Sequence, residues 1–443
     1  MDLYAQNRRD VMKRLPDGLI AVGSAPEILR NGDVNYFYRQ SSNFLYLTGI
    51  EQPGFALLLD PKKKREILFV PKLTQLHAVW LGHIPSKEEA AREYGISDVR
   101  FLDELPAALK LLRNGHRKCY AGKEILPRIK KTLGRTKVDA GGLEEAFAEL
   151  RAVKKPGEIE KIRKANAVTA RGHLAAMRAA RPGMYEYEVQ AELEREFLRG
   201  GLFQKGYSSI VAGGKNSAVL HYHHNHSRLQ AGDLLLIDAG AEYLGYTADV
   251  TRTFPVSGKF SRKQKDVYEA VLSAHKKSMD KARPGITSLE LHQYSCRIVA
   301  EGLRDLGILK GSTDELVESE AVRVFYPHGL THMLGLDVHD VQGGKKRAIK
   351  VPGKRKVRFN AKLEPGFVIT IEPGIYFIPA LLNDPKVRRK HAGRIDFGKA
   401  EKFLNFGGIR IENDVLVREK GPPKDLTSVP REVKEIEKIC SEG

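Results

Sequence analysis

Cysteine is scarce in this chain of 443 residues. The three cysteines, Cys119, Cys296 and Cys440, lie far apart and are odd in number. Such spacing predicts neither a disulfide framework nor a thiolate metal site. It favours a reducing compartment, and we therefore expect the protein to be cytoplasmic.

Long hydrophobic runs are also absent. No apolar stretch approaches the roughly 18 residues that a membrane-spanning helix needs. The start, MDLYAQNRRDVMKRL, has scattered charges where a signal peptide has an apolar core. We expect no membrane partner, and the 42% hydrophobic share indicates a globular protein that is too long for one ordinary core.

Two common kinds of functional motif are missing as well. VAGGKNSAV at 211–219 has the glycines of a phosphate-binding loop but lacks the GK[ST] pattern, so nucleotide binding is not expected. No motif supports a serine or cysteine triad. The chemistry of this chain must therefore depend on other residues.

Acidic residues are outnumbered, with 55 against 74 basic residues and a net charge of +19. Such a charge is compatible with nucleic acid or an anionic surface as a partner. The basic residues cluster at 62–65, 345–347, 354–356 and 386–390. Aromatic residues for base stacking are not interleaved with them, and several clusters adjoin Gly or Pro. We favour solvated loops and do not expect a nucleic-acid partner.

The hydrophobic pattern divides the chain into two predicted domains. Up to residue 152, short apolar runs such as GLIAVGS and REILFVP alternate with helical stretches such as LPAALKLLRNG, which is typical of a mixed α/β domain. The segment AVKKPG then breaks the pattern. From 153 to 443, long helical segments such as RKQKDVYEAVLSAHKKSMDKA alternate with short strands.

Two stretches far apart in the chain have similar sequences. DLLLIDAGAEY at 233–243 resembles FVITIEPGIYF at 367–377, with Asp238 and Glu372 in the same place. Each copy is followed by a second embedded acid, Asp249 or Glu412. Chance similarity is the alternative, but the matching acids favour two related halves that contribute two carboxylates each to a shared centre.

The first copy predicts a β-hairpin that turns near Gly245. With the turn centred between Tyr243 and Leu244, Asp238 would face Asp249, at a Cβ separation of about 4.5–5.5 Å. Two buried like charges need a shared proton or a cation. Since a shared proton does not account for Glu372 and Glu412, we favour a cation.

Histidines supply the expected fifth ligand. YPHGLTHMLGLDVHD at 326–340 contains His328, His332 and His339 within twelve residues, and this density favours a site over structural histidines. Four carboxylates and an imidazole without a thiolate favour Mn, Co or Zn. These ligands are too many for one tetrahedral ion, which indicates a two-metal centre. A second cluster, HYHHNH at 221–226, is ambiguous and is compatible with an exposed metal scavenger.

A two-metal centre predicts hydrolysis. Metal ions about 3.5–4 Å apart can hold one hydroxide between them and lower the pKa of water from about 15.7 to near 7. That change stabilises hydroxide by on the order of 12 kcal/mol. The remaining acceleration must come from polarising and positioning the substrate carbonyl.

Four motifs in order, IDAGAEYLGYTADVTRTFP, HGLTHMLGLDVHD, TIEPGIYF and GGIRIEND, resemble the metallopeptidases with a pita-bread fold, in particular their prolidase and aminopeptidase P branch. The similarity extends over nearly the whole chain. It implies an α/β (α+β) protein, in which a mixed N-terminal domain precedes a catalytic domain whose pseudo-twofold halves surround a curved antiparallel sheet. It also implies a homodimer and two divalent metal ions, with Mn expected and Co or Zn as alternatives.

The resemblance assigns roles to individual residues. Asp238 would bind one metal ion, His332 and Glu372 the other, and Asp249 and Glu412 would bridge both. Glu372 would also act as general base or proton shuttle. The further active-site positions, each with a purely structural role as the alternative, are Tyr207, His221, His328, His339 and Arg410.

Within this branch, prolidases cleave Xaa-Pro dipeptides, whereas aminopeptidase P removes the first residue of longer Xaa-Pro peptides. Arg358 matches the arginine with which prolidases hold the free carboxylate after proline. An arginine present by chance in a basic segment is the alternative. We predict a dipeptidase for short proline-containing peptides, with aminopeptidase P as the alternative. A catalytically inactive module that binds nucleic acid or protein is a more distant alternative function, because such a module has no need of clustered acids.

Overall fold

A computed structural model describes residues 2–72, 74–83, 85–350 and 359–442. Its internal contacts divide the chain into two compact units, Met1–Arg151 with Gly343–Lys346, and Ala152–Gln342 with Arg347–Gly443. The domain boundaries proposed from the sequence, 1–152 and 153–443, stay a prediction. Within the described ranges, no helix combines the length and the apolar character that crossing a bilayer requires.

The first unit is built on a mixed six-stranded sheet with the order β6-β5-β4-β1-β7-β8. Strands β1, β7 and β8 run parallel, whereas β4 is antiparallel to both of its neighbours, β1 and β5. This confirms the mixed α/β expectation. The strands are β1 Gly18–Gly23, β2 Leu29–Asn31, β3 Val34–Asn35, β4 Ala56–Asp60, β5 Arg65–Val70, β6 Asp98–Phe101, β7 Lys118–Ala121 and β8 Lys137–Val138; the helices are α1 Leu3–Arg14, α2 Ser42–Thr48, α3 Gln75–Leu81, α4 Lys87–Tyr94, α5 Leu105–Arg113, α6 Leu126–Leu133 and α7 Ala140–Ala152.

Two helical hairpins flank the strands of the second unit. The first pairs α8 (Pro156–Ala179) with α9 (Glu186–Arg199), and the second pairs α10 (Arg262–Lys281) with α11 (Ser288–Asp305). Pro156 occupies the first turn of α8, where its missing N–H costs nothing. The connections read ARPGM and ARPGI, so the helices carry the same internal repeat as the strands.

All strand pairs of the second unit are antiparallel, and they form two corresponding hairpins. The first half contributes the order β13-β10-β9, and the second contributes β14-β17-β18 together with β15-β16. Thr251 pairs with Glu412 in an antiparallel bridge that links the halves. The strands are β9 Ile210–Gly213, β10 Leu234–Ala239, β11 Glu242–Tyr243, β12 Tyr246–Thr247, β13 Val250–Pro255, β14 Val368–Ile371, β15 Gly374–Tyr376, β16 Gly408–Arg410, β17 Asn413–Leu416 and β18 Lys424–Asp425.

The hairpin prediction was right about its strands but wrong about its register. Asp238 pairs with Thr251, not with Asp249. The two-residue turn is Leu244-Gly245, with φ of 48° and 80°, and both values match the positive φ that a type I′ hairpin turn requires. The turn centre therefore lies one residue later than predicted, which shifts every cross-strand pair by two positions and makes Asp249 a diagonal neighbour of Asp238.

One basic cluster predicted as an exposed loop is helical instead. Residues 386–390 lie within a short helix, Pro385–His391. The carboxylate of Asp384 accepts hydrogen bonds from the backbone N–H groups of Lys386 and Val387, and Pro385 begins the helix. Four basic residues occupy its last turn, where the helix dipole favours positive charge. The cluster at 354–356 lies outside the described residues.

Candidate metal centre

The five predicted metal ligands converge on one cavity of about 540 Å³ in the second unit. Asp238 lies in β10, Asp249 immediately precedes β13, and Glu372 follows β14 directly. His332 lies in the irregular segment between α11 and β14, and Glu412 separates β16 from β17. Both halves of the repeat therefore contribute acids to the same space.

The strand ladder is interrupted at the two glutamates. Ile371 pairs with Asn413 and Gly374 with Arg410, so Glu372 and Glu412 lie opposite each other where the ladder is broken. Their backbone N–H groups are still satisfied, by the carbonyl of Leu330 for Glu372 and by the carbonyl of Thr251 for Glu412. The side chains can then turn inward without leaving buried donors unpaired.

The ligand atoms lie close together. Nε2 of His332 is 3.3 Å from Oδ2 of Asp249 and 3.6 Å from Oε1 of Glu372. Candidate ligand atoms of Asp249, His332 and Glu412 all lie within 4.8 Å of one another. Nδ1 of His332 is 3.0 Å from the carbonyl oxygen of Met333, and this contact orients Nε2 towards the acids.

Burial and mutual repulsion make the acids hard to ionise. Burial raises the pKa of Glu412, and the charges of Asp249 and Glu372 raise it further. Burial likewise raises the pKa of Asp249 despite its hydrogen bond to His332, and it raises the pKa of Glu372 to about 7. Burial alone would lower the pKa of His332, but Asp249 and Glu372 raise it to about 9.

These residues fit divalent metal ions. Carboxylate oxygens and one imidazole form a hard-to-borderline donor set with no thiolate, and added positive charge relieves the repulsion among the acids. Bound divalent ions would let the carboxylates and His332 remain in their ligating, deprotonated forms.

An arginine–tyrosine pair supports one side of the cavity. Nη2 of Arg410 donates a 2.5 Å hydrogen bond to Oδ2 of Asp238, and its Nη1 donates to the hydroxyl of Tyr376 at 2.8 Å. Nε2 of His328 lies 2.9 Å from the same hydroxyl, and Nδ1 of His328 lies 3.5 Å from Glu372. Arg410 and His328 therefore both contact the acids.

The other predicted residues lie around the same space. The hydroxyl of Tyr207 is 2.6 Å from Oδ1 of both Asp238 and Asp249. The ring of His339 meets that of His332 edge-on with centroids 4.4 Å apart, and His221 lines the cavity in an exposed position. Arg358 lies outside the described residues.

Three supporting residues were missed from the sequence. Thr251 donates a 2.6 Å hydrogen bond to Oε2 of Glu412, and Tyr376 holds Arg410. Oδ2 of Asp414 accepts a 2.9 Å hydrogen bond from the backbone N–H of Asp249. All three lie inside the motifs IDAGAEYLGYTADVTRTFP, TIEPGIYF and GGIRIEND, which are the signal that could have revealed them.

Family models match most of the chain. A model of metallopeptidase family M24 matches residues 160–419, and a model of the aminopeptidase P N-terminal domain matches residues 4–120. The Xaa-Pro dipeptidase of Homo sapiens is 37% identical over 465 residues, which cover 100% of this chain and 93% of that protein. The Xaa-Pro aminopeptidase of Escherichia coli is 35% identical over 457 residues, with 98% and 97% covered.

Solved structures agree in fold over almost the full length. Aminopeptidase PepP of Pseudomonas aeruginosa has a TM-score of 0.86 at 34% identity, with 99% of this chain and 97% of that chain covered. The zinc-substituted aminopeptidase P of Escherichia coli in complex with product has a TM-score of 0.84 at 34% identity, with 99% and 98% covered.

The crowded acids predict how the stability of the metal-free protein depends on pH. The pKa of Glu372 is about 7 in the folded chain, and that of His332 about 9, both above the unfolded values. The folded state therefore binds more protons, and its stability should fall as the pH rises from about 5 to about 9. Calorimetry in EDTA should show Tm decreasing across this interval.

Two variants control this measurement. Glu372→Gln should make Tm depend less on pH between pH 5 and 7, because it removes a titrating group. Glu401→Gln changes an exposed glutamate paired with Arg388 and should keep the wild-type slope. A Tm that rises with pH in EDTA would contradict the account. Saturating Mn²⁺ should stabilise the protein most at high pH, where the ligands are deprotonated.

Proposed function

The chain belongs to metallopeptidase family M24 and is an enzyme, and on this premise we propose that it hydrolyses the peptide bond that precedes proline. The observation that carries the proposal is the convergence of four buried or partly buried carboxylates and His332 on one cavity. A module that only binds other molecules would gain nothing from holding these mutually repelling acids together.

Asp238, Asp249, His332, Glu372 and Glu412 would hold two divalent metal ions. Mn²⁺ is our first choice, with Co²⁺ and Zn²⁺ as alternatives that the same ligands can bind. Such ions, when bound, activate a water molecule and polarise the substrate carbonyl. In this arrangement Asp249 and Glu412 would be shared between the ions.

Glu372 would move the proton during hydrolysis. An ionised carboxylate at this position can accept a proton from a water molecule and release it again. The carboxylate borders the cavity and is 17% exposed, so it can reach a bound water molecule. Nδ1 of His328 lies 3.5 Å from Oε2 of Glu372 and can orient this carboxylate.

The remaining cavity residues would position the substrate. His221 and His339 line the cavity with exposed rings, and their N–H groups can donate hydrogen bonds to the carbonyl of the bond to be cleaved. Tyr207 would hold Asp238 and Asp249 in place through its hydroxyl. Arg410 would hold the Asp238 carboxylate in place through the hydrogen bond between them.

Between the two substrate classes, we propose dipeptides of the form Xaa-Pro. Arg358 supports this choice because its guanidinium suits the free carboxylate that follows proline in a dipeptide. The human Xaa-Pro dipeptidase supports it by its similarity along the whole chain. Aminopeptidase P activity on longer peptides is the second candidate, favoured by the solved neighbours.

We further infer a homodimer from the surface of the first unit. Large apolar side chains are exposed there, including Phe37 at 93%, Val79 at 76% and Trp80 at 77%. Apolar side chains exposed together commonly mark a protein–protein contact. Sedimentation of the wild-type protein should give about twice the chain mass of 49.5 kDa, and a monomer would contradict the inference. The cytoplasmic location stays a prediction from the three free cysteines.

The substrate proposal predicts which peptides are cleaved. Gly-Pro and Leu-Pro should be hydrolysed in Mn²⁺, a matched Xaa-Pro-Yaa tripeptide should be cleaved far more slowly, and EDTA should abolish both activities. Preference for the tripeptide would instead establish aminopeptidase P activity. Failure to cleave either peptide with metal fully bound would contradict the peptidase proposal.

A pair of arginine variants isolates the carboxylate contact. Arg358→Ala should lower kcat/KM for Gly-Pro at least tenfold, since a charge-assisted contact contributes about 1.5–3 kcal/mol. Arg355→Ala removes the same charge three residues away in the sequence and should change kcat/KM little. Equal effects of the two variants would mean that Arg358 contributes only general positive charge.

A further inference from the structure

The histidine-rich segment 221–226, HYHHNH, has no role in the function proposed above beyond that of His221. Its four histidines, His221, His223, His224 and His226, are all exposed. We call residues 221–226 the histidine loop. Neutral imidazole is the commonest side-chain metal ligand.

Two inward-facing residues fix the backbone of the histidine loop. Tyr222 is 7% exposed, and its hydroxyl donates a 2.8 Å hydrogen bond to Glu186. Asn225 is 4% exposed; its Oδ1 accepts a hydrogen bond from the N–H of Val211, and its Nδ2 donates to the carbonyl of Ser209. Because these anchors alternate with the histidines, the imidazoles are held at the surface in a defined arrangement.

The spacing of the rings fits chelation. A metal ion about 2.0–2.1 Å from a ring nitrogen lies about 3.2 Å from the ring centre, so two rings on one ion have centres about 5 to 6.5 Å apart. The ring centroids of His224 and His226 are 5.6 Å apart, and those of His221 and His223 are 6.2 Å apart. The separation of the rings in each pair therefore lies in the range that two ligands of one ion require.

The histidine loop also adjoins the metal centre. His221 and His223 line the cavity that contains Asp238, Asp249 and Glu412. His224 and His226 follow within three residues on the exposed part of the same loop. The loop thus places two of its imidazoles in the lining of the cavity and two outside that lining.

We propose that His224 and His226 bind a divalent transition-metal ion, and that His223 and His221 pass it to the buried centre. The binding stands by itself, whereas the delivery rests on the metal centre proposed above. Within the described part of the chain, the one group of three or more ligands within mutual reach is Asp249, His332 and Glu412. The loop therefore offers two-ligand chelates, which hold an ion loosely enough to release it.

The chemistry of imidazole defines which ions the loop takes. Neutral imidazole suits Zn²⁺, Co²⁺ and Ni²⁺, and the affinity of a nitrogen site for Mn²⁺ is the lowest of the series. Loading of Zn²⁺ or Co²⁺ should depend on the loop. Loading of Mn²⁺ should not.

The test compares the metal-free wild-type protein with the double variant His224→Asn/His226→Asn, which leaves His221 and His223 in place. His83→Asn is the matched control, because His83 is an exposed histidine of the first unit. Equilibrium dialysis against Zn²⁺ counts bound ions, and Co²⁺ absorption in the visible range follows the rate of uptake. A second background, Asp249→Asn/Glu412→Gln, disables the buried centre.

Wild type and the His83 control should bind one more Zn²⁺ per chain than the double variant, and this extra ion should persist when the buried centre is disabled. Uptake of limiting Co²⁺ should be several-fold slower in the double variant, with unchanged final occupancy of the centre and little change for Mn²⁺.

Equal Zn²⁺ counts in wild type and double variant would overturn the proposed loop site. Loss of the extra ion with an unchanged Co²⁺ rate would overturn the delivery. Zn²⁺ bound by the loop while the intact centre binds none would contradict the proposed function and leave the loop site standing.

Discussion

The structure of the second unit depends on the antiparallel bridge between Thr251 and Glu412. The backbone N–H of Glu412 donates a 3.0 Å hydrogen bond to the carbonyl of Thr251, and the hydroxyl of Thr251 donates to the Glu412 carboxylate at 2.6 Å. Because each residue belongs to a different hairpin, this contact joins the two halves. It brings the acids of the first half next to those of the second.

Neighbouring groups stabilise this junction. Arg252 is fully buried, and its guanidinium donates to the carbonyls of Thr251, Glu412, Val429 and Pro430 at 2.6–2.8 Å. These bonds tie the bridge to the C-terminal segment, and they add a second hydrogen bond to the carbonyl of Thr251, which already accepts from the N–H of Glu412. The positive charges of Arg252 and Arg410 offset only part of the charge of the acids. The negative charge that remains on the acids explains why divalent ions fit the cavity.

The sequence predicted the content of the site better than its geometry. The four carboxylates could be singled out because charged residues inside apolar stretches are rare enough to stand out, whereas His332 was chosen among three nearby histidines by the family resemblance. The hairpin register could not be predicted, because YLG at 243–245 offers two turn centres, and the backbone φ values distinguish them. Thr251 escaped notice since threonine is ordinary in strands, and its role depends on a partner 161 residues away. Asp384 and Pro385 are start signals for the helix Pro385–His391, but the cluster of basic residues that follows them is equally typical of an exposed loop.

The most direct test of the account is the number of Mn²⁺ ions that the metal-free protein binds, measured by the loss of the free-ion EPR signal. We expect two tightly bound ions per chain with the spectrum of a coupled pair, since Asp249 and Glu412 would be shared between them. One bound ion, or two ions without coupling, would contradict the claim that the acids of both halves form a single centre.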